Sequence, residues 1–144
     1  NGAYFDFVKN TIPVDLNRYV DLISSPKVDD NYYFFHGVRY KDIPDRKFDF
    51  VLIDGPTTSC VSNGQKAFDL DFIRVLEKSH SPLDAMVDNR RTTCYVLKFI
   101  LGKKVKFNYF INLGFISSVS KSDIVLSDFT ANKKWPHFNQ ILFI

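Results

Sequence analysis

The sequence predicts an α/β domain whose sheet is mostly parallel and flanked by helices. Two apolar runs, Phe48–Pro56 and Leu83–Arg90, are each predicted to be a strand that ends at polar residues. Neither run shows sustained alternation of polar and apolar side chains, which is typical of strands covered on both faces. A helical pattern follows each run, and this order favours parallel pairing. The two strands should therefore end at the same edge of one sheet.

The N-terminal third is predicted to contain one helix and one further strand. Asn1–Ile12 spaces its apolar residues as a helix does, and Pro13 should end that helix because the residue before a proline avoids the α region. Arg18–Ser25 has a strand pattern, and Lys27–Asp30 is predicted to be a polar loop. Tyr32–Tyr40 fits either a short extra strand or a loop packed by its own aromatic side chains.

Two helices are predicted around the second apolar run. Gly64–Lys78 has apolar residues at helical intervals, with Asn63 as its candidate N-cap. A second helix is predicted at about Arg91–Leu101, where Gly102 is well placed to terminate it.

The last third of the chain is predicted to add strands. Val105–Ile111 and Phe138–Ile144 have strand patterns, and Phe115–Val119 and Asp123–Phe129 are further candidates.

Composition indicates one soluble domain. The chain has 144 residues, of which 45% are apolar and 24% charged, and it lacks the run of roughly 20 apolar residues that a membrane span needs. The 19 basic residues nearly balance the 16 acidic ones and are scattered, so nucleic acid is not an expected partner. Cys60 and Cys94 form no metal-binding or disulfide pattern, which favours a reducing compartment, and we expect the cytoplasm.

The candidate site lies at the ends of the two apolar strands. If these strands are neighbours, Asp54 would lie roughly 5 Å from Asp88, the spacing of paired strands. Together with Asn89 these residues offer three hard oxygen ligands, the kind that Mg²⁺ or Ca²⁺ prefers. A structural role is also open, because such residues cap turns and helices through their side chains.

The same residues resemble class I S-adenosylmethionine-dependent methyltransferases, which have a Rossmann-like fold. Phe48–Pro56 is similar to the fourth strand of that family, an apolar run that ends in Asp-Gly-Pro, and Leu83–Arg91 is similar to the fifth. The set Asp54, Asp88 and Asn89 resembles the metal triad of the catechol-type O-methyltransferases.

This resemblance implies transfer of a methyl group from S-adenosylmethionine to an oxygen of a small-molecule or sugar-like acceptor. Asp54 would be the catalytic residue, near the methionine part of the donor and the acceptor. The implied donor contacts are Ser24, Ser25, Asp54 and Gly55. Mg²⁺ bound by the triad would favour the deprotonated acceptor oxygen, although the acceptor could also react without a metal.

The resemblance covers about Asn1–Phe115 and departs from the family in two features. None of the six glycines forms a Gly-x-Gly, and the acid that ends the family's second strand has no counterpart. We expect a part of a longer chain whose first strands lie upstream, since losing a central strand would expose buried edges. The alternative is a reduced relative that has lost donor binding.

Two other functions follow from these observations. One is a catalytically inactive Rossmann-like module that binds a partner protein or contributes to an assembly. The other is a methyltransferase acting on RNA or protein, which would need a coherent basic groove beside Asp54.

Overall fold

A computed structural model describes residues 2–124 and shows an α/β fold. Its helices are α1 (Gly2–Thr11), α2 (Asp71–Lys78) and α3 (Arg91–Leu101). Its strands are β1 (Lys27–Tyr32), β2 (Phe35–Tyr40), β3 (Phe50–Ile53), β4 (Phe68–Asp69), β5 (Leu83–Asp88), β6 (Val105–Asn108) and β7 (Leu113–Val119). Within residues 2–124, no helix combines the length and the apolar character needed to cross a membrane.

The main sheet has the strand order β3-β5-β7-β6. β3 and β5 pair in parallel, with Ile53 opposite Val87, whereas β7 is antiparallel to both β5 and β6. The α/β class is confirmed, but the prediction of a mostly parallel sheet is wrong. A short turn at residues 109–112 joins β6 to β7, and strands joined by so short a turn must be antiparallel.

A smaller sheet, with the order β1-β2-β4, contains segments that the sequence left open or assigned to a loop. Lys27–Asp30 is part of β1, so the predicted loop is wrong. Tyr32–Tyr40 contains the last residue of β1, the turn of the hairpin and all of β2. β1 lacks the alternation of apolar and polar residues that is typical of a strand, and ion pairs stabilise it instead. The carboxylate of Asp30 lies 2.6 Å from Nε of Arg39 and 3.0 Å from a guanidinium nitrogen of Arg74.

The predicted strand Arg18–Ser25 is wrong. A 3-10 turn forms at Asn17–Tyr19, and residues 20–26 are irregular. The apolar side chains of this segment do not enter a core, since Tyr19 is 71% exposed and Ile23 is 50% exposed. Within the described part of the chain no strand pairs with this segment, so its β propensity has nothing to stabilise it.

The predicted helix over Gly64–Lys78 is only half present. Its first half is a loop followed by β4, and α2 begins at Asp71. β4 pairs with β2 and buries Phe68, which overrides the local helical pattern. Asn63 is not an N-cap, because its side-chain oxygen accepts the N–H of Gln65 within a turn.

The other predicted elements agree with the structure. The first helix corresponds to α1, and β5 and α3 have the expected bounds. Gly102 ends α3 with φ +60°, a conformation that glycine adopts without strain. β6 forms the first part of the strand expected at Val105–Ile111, whose last three residues lie in a turn, and β7 contains the strand expected at Phe115–Val119. The predicted strand Phe138–Ile144 lies outside the described residues, as does most of Asp123–Phe129.

The larger apolar core joins α2 and α3 to both sheets. Its fully buried members include Phe72 and Ile73 of α2, Leu97 and Ile100 of α3, and Val87 of β5. The core lies beneath the ends of β3 and β5 and therefore holds these strand ends in fixed positions.

Gly114 of β7 tests this packing. A Cβ atom there would lie 2.6 Å from Sγ of Cys94 and 3.3 Å from Cβ of Val87, both of which are buried. We expect Gly114→Ala to lower the free energy of unfolding by about 1–3 kcal/mol, the usual cost of overpacking, measured by urea denaturation.

Cys94→Ala supplies the matched control, because it removes the sulfur that the new methyl group meets. The double variant Gly114→Ala/Cys94→Ala should be more stable than the two single effects predict when added. Strict additivity would show that this contact does not limit the packing.

Candidate functional site

Asp54, Asp88 and Asn89 line a single polar cavity of about 370 Å³ at the carboxyl ends of β3 and β5. The parallel register that places Ile53 opposite Val87 also places Asp54 beside Asp88. The predicted convergence of these residues is confirmed, whereas their roles in catalysis and metal binding stay predictions. Other side chains of the polar cavity are Thr57, Thr58, Lys66, Arg90, Arg91 and Thr92.

The oxygens of this triad are not used for capping. Within the described residues, the side chains of Asp88 and Asn89 make no hydrogen bond, and α3 begins after Arg90 without a side-chain cap. The side chain of Asp54 is 66% exposed, and its Oδ1 lies 3.7 Å from Nη2 of Arg90. These oxygens can therefore reach a ligand in the polar cavity, and the structural alternative of capping is not observed.

A second cavity, of about 270 Å³, lies next to the same turn and is mainly apolar. Gly55 lines this apolar cavity, while the preceding residue, Asp54, lines the polar one. Ser25, a predicted donor contact, also lines it, and its hydroxyl accepts the N–H of Asp42 at 2.7 Å. Ser24 is exposed and lines neither cavity. The apolar wall consists of Ile23, Ile43, Pro44, Val51, Leu52 and Ile53.

Arg90 holds the turn that separates the two cavities. Its Nη1 donates to the carbonyl of Pro56 at 2.6 Å, and its Nη2 donates to the carbonyl of Asp54. The side chain is only 16% exposed, and its Nε has no hydrogen-bond partner among the described residues. A planar guanidinium suits this task because it binds two carbonyl groups at once.

The sequence analysis missed Asp69, a carboxylic acid that is fully buried behind the turn. Its Oδ1 accepts the N–H of Asp71 at 2.8 Å, and its own N–H donates to Oγ1 of Thr93. Within the described residues its Oδ2 has no partner. Burial raises the pKa of Asp69 to about 8, and the negative charge of Asp71 contributes to this rise. Asp69 therefore holds a proton near neutral pH.

Asp71 was missed as well, although it lines the apolar cavity. Its Oδ1 accepts the N–H of Tyr40 at 2.8 Å. Burial raises the pKa of Asp71 to about 7, against the opposing effects of that N–H group and of Arg39. The Asp-Leu-Asp sequence within an apolar run was the available signal, but the prediction of a continuous helix over Gly64–Lys78 did not anticipate the burial of either acid.

Comparisons with known proteins leave the site to be interpreted from its own chemistry. No family model, no curated protein and no solved structure matches this chain. In the part of the chain that the structure describes, no group of three or more His, Cys, Asp or Glu side chains could hold a metal ion. The set Asp54, Asp88 and Asn89 contains only two residues of these four types. Its third ligand would have to be the amide oxygen of Asn89.

The proton on Asp69 predicts a pH-dependent stability. In the unfolded chain this carboxyl titrates near pH 3.8, and in the folded chain near pH 8, so unfolding releases a proton between these values. Stability from this group is complete below pH 4 and is lost as the pH rises to about 8, by at most about 1.4 kcal/mol per pH unit. Asp69→Asn should therefore become more stable relative to the wild type between pH 5 and pH 8, measured by urea denaturation.

Asp49→Asn is the matched control, because the Asp49 side chain is 87% exposed. Its stability difference from the wild type should not change comparably with pH. Parallel stability curves for Asp69→Asn and the wild type would contradict a protonated Asp69.

Arg90→Lys tests how the turn is held. A lysine ammonium cannot bind both carbonyl groups in the same geometry, and hydrogen bonds to charged groups contribute about 1.5–3 kcal/mol. We expect a loss of about that size in the free energy of unfolding and faster amide exchange over residues 54–60. Arg18→Lys, at an exposed arginine without a hydrogen bond among the described residues, should cost less than about 0.5 kcal/mol. Equal effects of the two substitutions would contradict the special role of Arg90.

Proposed function

We propose that this chain is a class I methyltransferase-like domain that transfers a methyl group from S-adenosylmethionine to an oxygen of a small-molecule or sugar-like acceptor. One observation carries the proposal: the turn at the end of β3 lies between an apolar and a polar cavity, with Gly55 lining the first and Asp54 the second. Such an arrangement suits a reaction between two ligands that meet at this turn. Ligands of open α/β sheets bind outside the carboxyl ends of the strands.

The strand directions support a Rossmann-like arrangement for the proposed domain. β5 is parallel to β3, and β6 also runs in that direction because both β5 and β6 are antiparallel to β7. α2 lies between β3 and β5 along the chain, and α3 lies between β5 and β6. Sheets that mix parallel and antiparallel strands are found in many doubly wound folds.

In the proposed reaction the apolar cavity takes the donor and the polar cavity takes the acceptor. The bound donor supplies an electrophilic sulfonium methyl group; the sulfur–methyl bond breaks as the acceptor oxygen–methyl bond forms. Asp54 accepts the hydrogen bond of the acceptor hydroxyl, orients it and takes up its proton. Ser25 and Gly55 contact the donor. Arg90 keeps Asp54 in place through the carbonyl group of the same residue.

The chemistry of the triad also fits a divalent ion. Asp54, Asp88 and Asn89 offer three oxygen atoms in the polar cavity, as Mg²⁺ prefers. Such an ion would supply Lewis acidity that favours the deprotonated acceptor. The alternative is transfer without a metal, since Lys66 and Arg91 already bring positive charge to the same cavity.

The most direct competitor is a catalytically inactive module that binds a partner or contributes to an assembly. It is favoured by the missing Gly-x-Gly and by the edge position of β3, whose Phe50 and Leu52 are each 56% exposed. Donor binding separates the two proposals, because a binding module of this kind would not need S-adenosylmethionine.

The proposed setting is the cytoplasm, and the proposed partner is a small molecule. Both Cys60 and Cys94 are unpaired and buried, as a reducing compartment favours. The polar cavity mixes Asp54 and Asp88 with basic side chains, so it does not form the coherent basic groove that an RNA methyltransferase would need.

Donor binding is tested by titration calorimetry with S-adenosylmethionine. We expect binding to the wild type and none to Ser25→Phe, because a phenyl group at residue 25 would fill the apolar cavity. Ser24→Phe is the matched control, because the side chain of Ser24 lines neither cavity. This variant should bind S-adenosylmethionine as the wild type does. Failure of the wild type to bind, both as this chain and within any longer product of its gene, would favour the inactive module.

Metal binding is tested by the thermal shift that Mg²⁺ produces without donor or acceptor. Binding to the folded state alone raises the melting temperature. Asp88→Asn should lose most of that shift, whereas Asp49→Asn should retain it. A shift that survives Asp88→Asn would remove the triad as the metal site.

A further inference from the structure

The turn between β6 and β7 presents apolar side chains to solvent. Phe110 is 99% exposed, and the flanking Tyr109 and Ile111 are 53% and 56% exposed. We call residues 109–112 the aromatic tip. Exposing such side chains forfeits the free energy of burial, and clusters of them often mark interaction sites.

The aromatic tip is joined to the rim of the polar cavity. The carbonyl of Asn112 accepts the N–H of Asn89 at 3.0 Å, and Oδ1 of Asn112 accepts Nε–H of Arg91 at 2.7 Å. Asn89 and Arg91 both line the polar cavity. Phe110 is two residues from Asn112, which places their Cα atoms within about 7 Å of each other.

Packing holds Tyr109 of the aromatic tip, and a hydrogen bond holds the backbone of Phe110. The ring of Tyr109 packs edge-to-face on Phe107, with ring centroids 4.6 Å apart, and lies 6.2 Å from the ring of Tyr95. The N–H of Phe110 donates to Oδ1 of Asn108 at 3.0 Å. A surface that is already ordered loses little conformational entropy when it binds a ligand.

The polar cavity matches a ligand rich in hydroxyl groups. The side chains of Thr57, Thr58 and Thr92 can each donate and accept, while Asp88 accepts and Lys66 donates. Every hydroxyl of a sugar is likewise both donor and acceptor. A flat aromatic acceptor would instead need an apolar slot, and the polar cavity does not supply one.

We propose that the acceptor of this site is a sugar ring, which places its hydroxyl groups in the polar cavity and one C–H face against the aromatic tip. The face of an aromatic ring carries partial negative charge and attracts the polarised C–H bonds of a pyranose. The inference rests on the proposed methyl transfer, whose product would be a sugar methyl ether, but sugar binding can be measured without that reaction.

The test is saturation-transfer NMR and calorimetry with the methyl pyranosides of glucose, galactose and mannose, with and without S-adenosylhomocysteine. At least one pyranoside should bind, with saturation transferred to its ring C–H protons. Phe110→Ala should weaken binding about tenfold, as removal of an aromatic anchor does, and Phe110→Tyr should restore it. Phe7→Ala, on an aromatic residue that is 64% exposed on α1, is the matched control and should have no effect.

Each outcome separates this inference from the proposed function. Sugar binding that depends on Phe110 supports the inference even when S-adenosylmethionine does not bind, in which case only the methyl transfer fails. Donor binding without sugar binding overturns the inference and leaves the methyl transfer standing. Sugar binding that Phe110→Ala does not change, or binding of catechol in place of every pyranoside, also overturns it.

Discussion

The parallel pairing of β3 with β5 is the constraint on which the candidate site depends. Register in a parallel ladder is set along the whole strand, so the pairing of Ile53 with Val87 carries Asp54 to the side of Asp88. An antiparallel pair would have sent these two acids to opposite edges. The chain between the strands provides α2 as part of the crossover that parallel strands require.

Charged groups fall into two kinds in this fold. The carboxylate of Asp30 is matched by Arg39 and Arg74 near the surface, where such pairs satisfy one another and stabilise the hairpin on α2. Around the turn at Asp54, by contrast, Oδ2 of Asp69 and Nε of Arg90 are buried without partners among the described residues. Leaving a buried polar group unpaired costs about 1–3 kcal/mol. A turn with only a structural role would be more stable without such groups. Buried polar groups without partners are expected mainly at functional sites.

Sequence reasoning succeeded where a single physical cause dominates. The apolar runs before Asp54 and Asp88 form the parallel strands β3 and β5, although Phe50 and Leu52 on one face of β3 stay exposed, and Gly102 ends α3 as predicted. It failed where pairing between distant segments outweighs local pattern. β1 is polar and depends on the charges of Arg39 and Arg74, β4 forms because β2 lies beside it, and the strand expected at residues 18–25 has no neighbour among the described residues.

The same division applies to the site. The order of residues along the chain was enough to bring Asp54, Asp88 and Asn89 to a common edge, because strand direction and period follow from the apolar pattern. Folding was required to bury Asp69, to aim Arg90 at two carbonyl groups, to open two cavities beside one turn and to join the aromatic tip to Asn89. Burial and contact are properties of segments far apart in the chain, and a local pattern contains no information on which of them will meet.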